Sequence, residues 1–200
     1  MGMANPADGR EAGWTNVPEG QTAFEFLGRS DQAGPQVTHY GYLTHVFGLS
    51  DDQLFAAADP HNEATARLTF SAVTTIDGRY QHANIITTSA PGEMTLYLND
   101  NPQGDFANPA SFSQGTPIAT YSTRYHNVLN VQAPNQGATA ASVELTQLSS
   151  APFVLAGRRV RFGQPGLRAR LTAHGSGTRT QPDPVSAFFL VGGHVVVIDS

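Results

Sequence analysis

Ala64-Thr65-Ala66-Arg67-Leu68-Thr69-Phe70-Ser71-Ala72-Val73-Thr74-Thr75-Ile76 alternates in character along its length. Apolar residues take most even positions and polar residues most odd ones, which is the period of a strand buried on one face. A helix would instead gather its apolar residues three and four apart. The same period of two recurs over 22–29, 37–47, 79–88, 93–99, 118–131, 139–148, 153–162, 167–173 and 185–198. About ten such segments, separated by turn residues, predict an all-β chain: a single antiparallel β-barrel of about eight to ten strands, with a β-sandwich as the alternative. Closure is favoured because few Lys or Pro residues guard the strands against edge pairing.

Turn chemistry suggests where the chain reverses. Asp77-Gly78 and Gly192-Gly193 read as two-residue hairpin turns, Ala156-Gly157 as a weaker one, and Gly175-Ser176-Gly177 as a flexible connector. One short helix is expected after Ser50, whose spacing to Gln53 is that of a capping box, with Leu54 to Ala58 following before Asp59-Pro60 ends it. Asn99 to Thr116 is a long loop rich in Asn, Pro, Gly and Ser, and loops of this length tend to be functional or mobile. Residues 1–20 read as a flexible leader and 21–200 as one barrel domain.

The chain contains neither lysine nor cysteine, and all its fixed positive charge lies on 11 arginines. Schiff-base chemistry, thiolate nucleophiles and cysteine zinc sites are therefore excluded. The net charge of −5 argues against nucleic acid as a partner. Charge is unevenly spread: residues 1–157 hold 14 acids and 5 arginines, whereas 158–200 hold 6 arginines and 2 acids. Mutual pairing of these segments is the simpler expectation, ahead of an anion cradle built from Arg159, Arg161, Arg168 and Arg170. No apolar run is long enough for a helical membrane span. The opening Met-Gly-Met-Ala-Asn-Pro lacks the basic-then-apolar pattern of a signal peptide. The expected compartment is extracytoplasmic if a leader has been removed and cytoplasmic otherwise.

Two strands carry the candidate chemistry. His39 and His45, six apart, share a face by strand parity with Val37, Leu43 and Phe47; if that face is interior, the imidazoles sit in an apolar lumen suited to proton transfer. The alternative puts Tyr40, Tyr42 and Val46 in the core and the histidines outside. On the segment from Ile118 to Val131, Arg124 and His126 share one face while Tyr121, Tyr125 and Leu129 share the other. Inward, Arg124 and His126 would polarise a carbonyl or hold a carboxylate; outward, they belong to an ordinary surface strand. Asp59-Pro60-His61-Asn62-Glu63 gathers metal-capable side chains without metal-site spacing, and neither a metal nor a cofactor is expected.

Five segments are similar to a group of bacterial, often exported, β-rich proteins of unassigned function: Phe24 to Gln32, Tyr40 to Val46, Gly104 to Phe112, Asn127 to Asn135 and Phe162 to Arg170. That resemblance implies no catalytic residue. At fold level the long, mixed-polarity strands are also similar to calycin, allene oxide cyclase and dirigent barrels, the last two of which steer reactive apolar substrates without cofactors. The function expected on this basis is a cofactor-free cyclase or isomerase acting on an apolar or amphipathic small molecule in the barrel. His39, His45, Arg124 and His126 would be its catalytic groups, and Tyr40, Tyr42, Tyr121 and Tyr125 its substrate-binding wall. The alternative is a non-catalytic barrel that binds such a molecule, or meets a surface partner through the 99–116 loop. Arg124 and His126 are expected to line a solvent-connected cavity together with His39 or His45.

Overall fold

The computed structural model describes residues 17–199. Eleven strands form: β1 (Thr22–Ala33), β2 (Gln36–Val46), β3 (Leu68–Thr75), β4 (Gly78–His82), β5 (Ile85–Leu98), β6 (Thr116–Ala133), β7 (Gln136–Ser150), β8 (Phe153–Leu155), β9 (Arg158–Val160), β10 (Arg168–Pro182) and β11 (Val185–Asp199). Helix α1 (Asp51–Leu54) and a 3-10 helix at Pro109–Ser113 interrupt them. The main sheet runs β3-β2-β1-β11-β10-β7-β6-β5-β4, and β5 pairs back onto β3, closing an antiparallel barrel of eight wall strands. Strands β3 and β4 share one place in that wall, because β3 pairs with Gly92 to Leu98 of β5 and β4 with Ile85 to Ser89 of the same strand.

Asp77-Gly78 is therefore not a hairpin turn but a bulge. Between the pairs Thr74↔Gly92 and Gly78↔Ser89 the β3–β4 side carries one residue more than β5, so the inward set shifts from Thr74 and Ile76 to Arg79 and Gln81. Pro91 sits where β5 changes partner, a place that needs no ladder donor on that side. Gly192-Gly193 is likewise strand interior, paired to Leu27 and Phe26 of β1. A Cβ on Gly193 would collide with the Thr172 carbonyl and lie 2.9 Å from the Phe26 ring. Gly175-Ser176-Gly177 is not a connector either, since β10 runs through it with partners on both sides. Reversals occur instead at Gly34, Ala83 and Asn135, all at positive φ, and at Asp183-Pro184. Ala156-Gly157 does turn the β8–β9 hairpin, with φ of 47° and 78°.

Helix α1 starts as expected: the Ser50 N–H donates to Gln53 Oε1 at 3.1 Å. It ends after one turn because Phe55 is drawn into a bridge with Ala66 and buried. Half of the barrel is a packed core in which Phe24, Leu43, Leu68, Leu96, Tyr121 and Leu145 are almost fully enclosed. Phe162, Val160 and Leu167 add to this core from the chain between β7 and β10, and the buried Gln147 amide donates to the Phe162 carbonyl. Residues 1–16 of the expected leader lie outside the described residues; Val17 is only 6% exposed within the core cluster, and Gly20 N–H donates to the Val197 carbonyl. Among the described residues no helix is long and apolar enough to cross a membrane.

A second apolar layer lies outside the wall. Tyr40 and Tyr42 are buried beneath the 99–116 loop, with Tyr40 5.3 Å from Phe112 and 6.0 Å from Phe106 between ring centroids. The loop is tied to the barrel by Thr69 Oγ1, which donates to the Phe112 carbonyl at 2.8 Å, and by Asn99 Nδ2, which donates to Thr69 Oγ1 at 2.9 Å.

Candidate functional site: a cavity at the open barrel end

The other half of the barrel is hollow, with a cavity of about 710 Å³ that opens between the turns at Gly34, Asn135 and Asp183-Pro184. Ligand pockets usually measure about 300–1,000 Å³, so the lumen is large enough to enclose a small molecule. The hollow follows from side-chain size. Along β7 and β10 the inward residues Val143, Leu145 and Leu171 fill space towards the packed half, whereas the consecutive inward positions Gly137, Thr139 and Ala141 of β7 and Ala173, Gly175 and Gly177 of β10 leave it open. Phe26 and Phe70 meet edge to face at 5.5 Å and line the cavity. Phe70 reaches across because Gly28 leaves room; a Cβ there would lie 2.9 Å from the ring.

The lining is mainly apolar, through residues such as Ile76, Ile86, Leu129, Val131, Phe189 and Val191, with a polar cluster around His39. His39 Nδ1 lies 2.7 Å from Ser30 Oγ, His39 Nε2 lies 3.1 Å from Thr74 Oγ1, and the imidazole stacks on Tyr125 at 4.4 Å. A neutral imidazole donates from one nitrogen and accepts at the other, and hydroxyls do either, so the cluster is satisfied without charge. Burial pushes the His39 pKa down to about 4. It pushes the Tyr125 phenol up, so at neutral pH both rings are uncharged. A second polar pair, Thr139 donating to Asn127 at 2.5 Å, lies further along the wall.

Of the residues expected to form the site, His39 and Tyr125 line the cavity. Tyr121 also points inward but is locked in the packed half, where burial raises its phenol pKa well above the ordinary value. His45 does not share the inward face with His39. Glu25 faces His45 while Phe26 faces Leu43, so Thr44 is an extra residue whose bulge turns His45 out to solvent and returns Val46 to the core. Arg124 and His126 also lie on the outer face, opposite the inward set Tyr121, Thr123, Tyr125 and Asn127. Arg124 bonds Asp77 at 3.3 Å and Ser89 at 3.1 Å there. Tyr40 and Tyr42 belong to the layer beneath the loop, where the Tyr40 hydroxyl donates to Asp31 Oδ2 at 2.6 Å. Their phenol pKa values are raised first by burial, and then by Asp31 for Tyr40 and Glu63 for Tyr42.

The cavity-lining polar residues not singled out from sequence are Ser30, Thr74, Asn127 and Thr139 in the lumen and Arg79 and Arg179 at its mouth. Parity placed Thr74 on the apolar face of its strand, which was the available signal for that residue; the others needed the register. Arg170, expected to offset acids earlier in the chain, approaches Glu144 at 3.4 Å. His61, in the tract of metal-capable residues, stacks on Phe55 at 4.4 Å. Among the described residues no three His, Asp or Glu side chains converge as a metal site.

No protein-family model matches the chain, and neither a curated protein nor a solved structure does.

Proposed function

We propose that this protein is a non-catalytic barrel that binds an apolar or amphipathic small molecule inside its lumen. The observation that carries this reading is the cavity of about 710 Å³, lined mainly by apolar side chains and open to solvent at one barrel end. Such a surface is a costly thing to leave wet, and an apolar ligand removes it from water. The neutral groups around His39 add directional hydrogen bonding, which sets orientation rather than affinity. The cyclase or isomerase reading keeps only His39 of its four expected catalytic groups, and both ring nitrogens of His39 already face hydroxyls.

The test is titration with N-phenyl-1-naphthylamine, a neutral dye that fluoresces when it leaves water. Wild-type protein is expected to give a saturable rise. Ala141→Trp, whose side chain would project into the lumen from β7, is expected to abolish that rise while keeping the β dichroism spectrum. Equal binding by the folded variant would overturn the proposal.

A further inference from the structure

We infer that the ligand is an amphiphile carrying an anionic oxyacid head, such as a carboxylate, with its apolar body in the lumen and its head at the mouth between Arg79 and Arg179. The inference rests on the cavity being a binding site. Its own basis is the distribution of charge over the inward face. Arg79 pairs across the sheet with Thr88, and Arg179 with Ala187, and Thr88 and Ala187 both line the cavity, so both arginines project from the inward side of the wall. Arg29 also borders the cavity but is paired with Asp31; within the barrel strands Arg79 and Arg179 are the arginines whose register points them inward, and among the described side chains of those strands no Asp or Glu does so. Their strands lie on opposite sides of the lumen, since β4 and β10 are four places apart in the ring of eight.

Their partners are weak. Arg79 Nη2 reaches the neutral Gln81 Oε1 at 3.4 Å, and Arg179 Nε reaches the neutral Asn135 Oδ1 at 3.0 Å. Neither makes an ion pair among the described residues, whereas Arg29, Arg124 and Arg170 each face a carboxylate. Asp183, in the turn at the rim, is the acid among the lining residues. The mouth is therefore net positive on a chain of net charge −5. Deeper in, the groups are hydroxyls, an amide and a neutral imidazole, none of which offsets a full negative charge. A guanidinium fork does so with paired N–H donors. A head-out orientation follows, with the charge left at the solvent boundary where its desolvation is least.

Two dyes of one skeleton separate this inference from the reading beneath it. 8-Anilinonaphthalene-1-sulfonate carries an anionic head that N-phenyl-1-naphthylamine lacks. The paired substitution Arg79→Gln with Arg179→Gln is expected to weaken the sulfonate dye about tenfold, the loss of one or two charge-assisted bonds, and the neutral dye less than about twofold. The outer-face substitution Arg168→Gln should change neither. Equal weakening of both dyes, or an unchanged sulfonate affinity, would overturn the anionic-head inference while leaving the cavity reading in place. Failure of the neutral dye to bind wild-type protein would reject the cavity reading and the inference with it.

Discussion

His39 lies flat on Tyr125, with ring centroids 4.4 Å apart and planes only 8° from parallel. The two residues belong to β2 and β6, which are not neighbours in the wall, since β3 and β5 run between them. Their stack therefore forms across the lumen. It is held on one side by Ser30 and Thr74 and shares the cavity wall with Phe26 and Phe70.

Stability is expected to depend on His39 in acid. Its pKa in the folded chain is about 4, below the ordinary 6.5, because burial disfavours the imidazolium. The unfolded chain therefore takes up the proton first, and the stability present above pH 6.5 is lost as pH falls toward 4. This one group accounts for up to about 3 kcal/mol. Urea unfolding at pH 7 and pH 4.5 should show the loss, and His39→Gln should flatten it. A His39 ring resonance titrating near 6.5 in the folded protein would contradict this assignment.

Phe112→Ala should cost about 3–5 kcal/mol, because the ring is fully buried between the loop and Tyr40. That layer lies outside the wall, so dye affinity of the folded variant should stay within about twofold of wild type. Tyr40→Phe, which removes the bond to Asp31, should cost about 1–2 kcal/mol in chemical unfolding.

Arg124→Ala and His126→Ala should each change stability by less than about 1 kcal/mol, as exposed positions usually do. The Arg124 side chain is 53% exposed and its partner Asp77 45%. Neither substitution should alter dye binding. A large loss of binding in either would place them at the cavity after all.

Gly175→Ala should destabilise by about 1–3 kcal/mol, since the added methyl would run into the Leu190 carbonyl of the paired strand. Thermal unfolding measures the effect. An unchanged midpoint would mean that β10 and β11 are not packed as described.

The alternation over Leu68 to Ile76 was enough to reveal a strand, because a strand with one wet face must repeat every two residues; its recurrence in about ten segments with few edge-guarding residues pointed to an all-β barrel ahead of a sandwich. Local kinks were less readable. Glycine serves both for positive φ and for close approach of backbones, and Asp77-Gly78 and Gly192-Gly193 look alike in sequence under either use. Parity also fails wherever a bulge intervenes. The extra Thr44 parts His39 from His45, and the extra residue near Ile76 turns Arg79 inward. On β6 no bulge lies between Tyr121 and Val131, so the division of its two faces held, but which face was inner depended on pairing with β5 and β7. Tyr40 and Tyr42 obscured the matter further, because the loop gives their strand a second buried face.

An apolar molecule is proposed to lie inside the barrel rather than on its outer surface. Intermolecular nuclear Overhauser contacts from bound N-phenyl-1-naphthylamine to methyl-labelled protein test this most directly. Contacts to Ile86, Leu129 and Val191, all lining the cavity, are predicted. Contacts confined to Leu27 and Leu190, which are about half exposed on the outer surface, would contradict it.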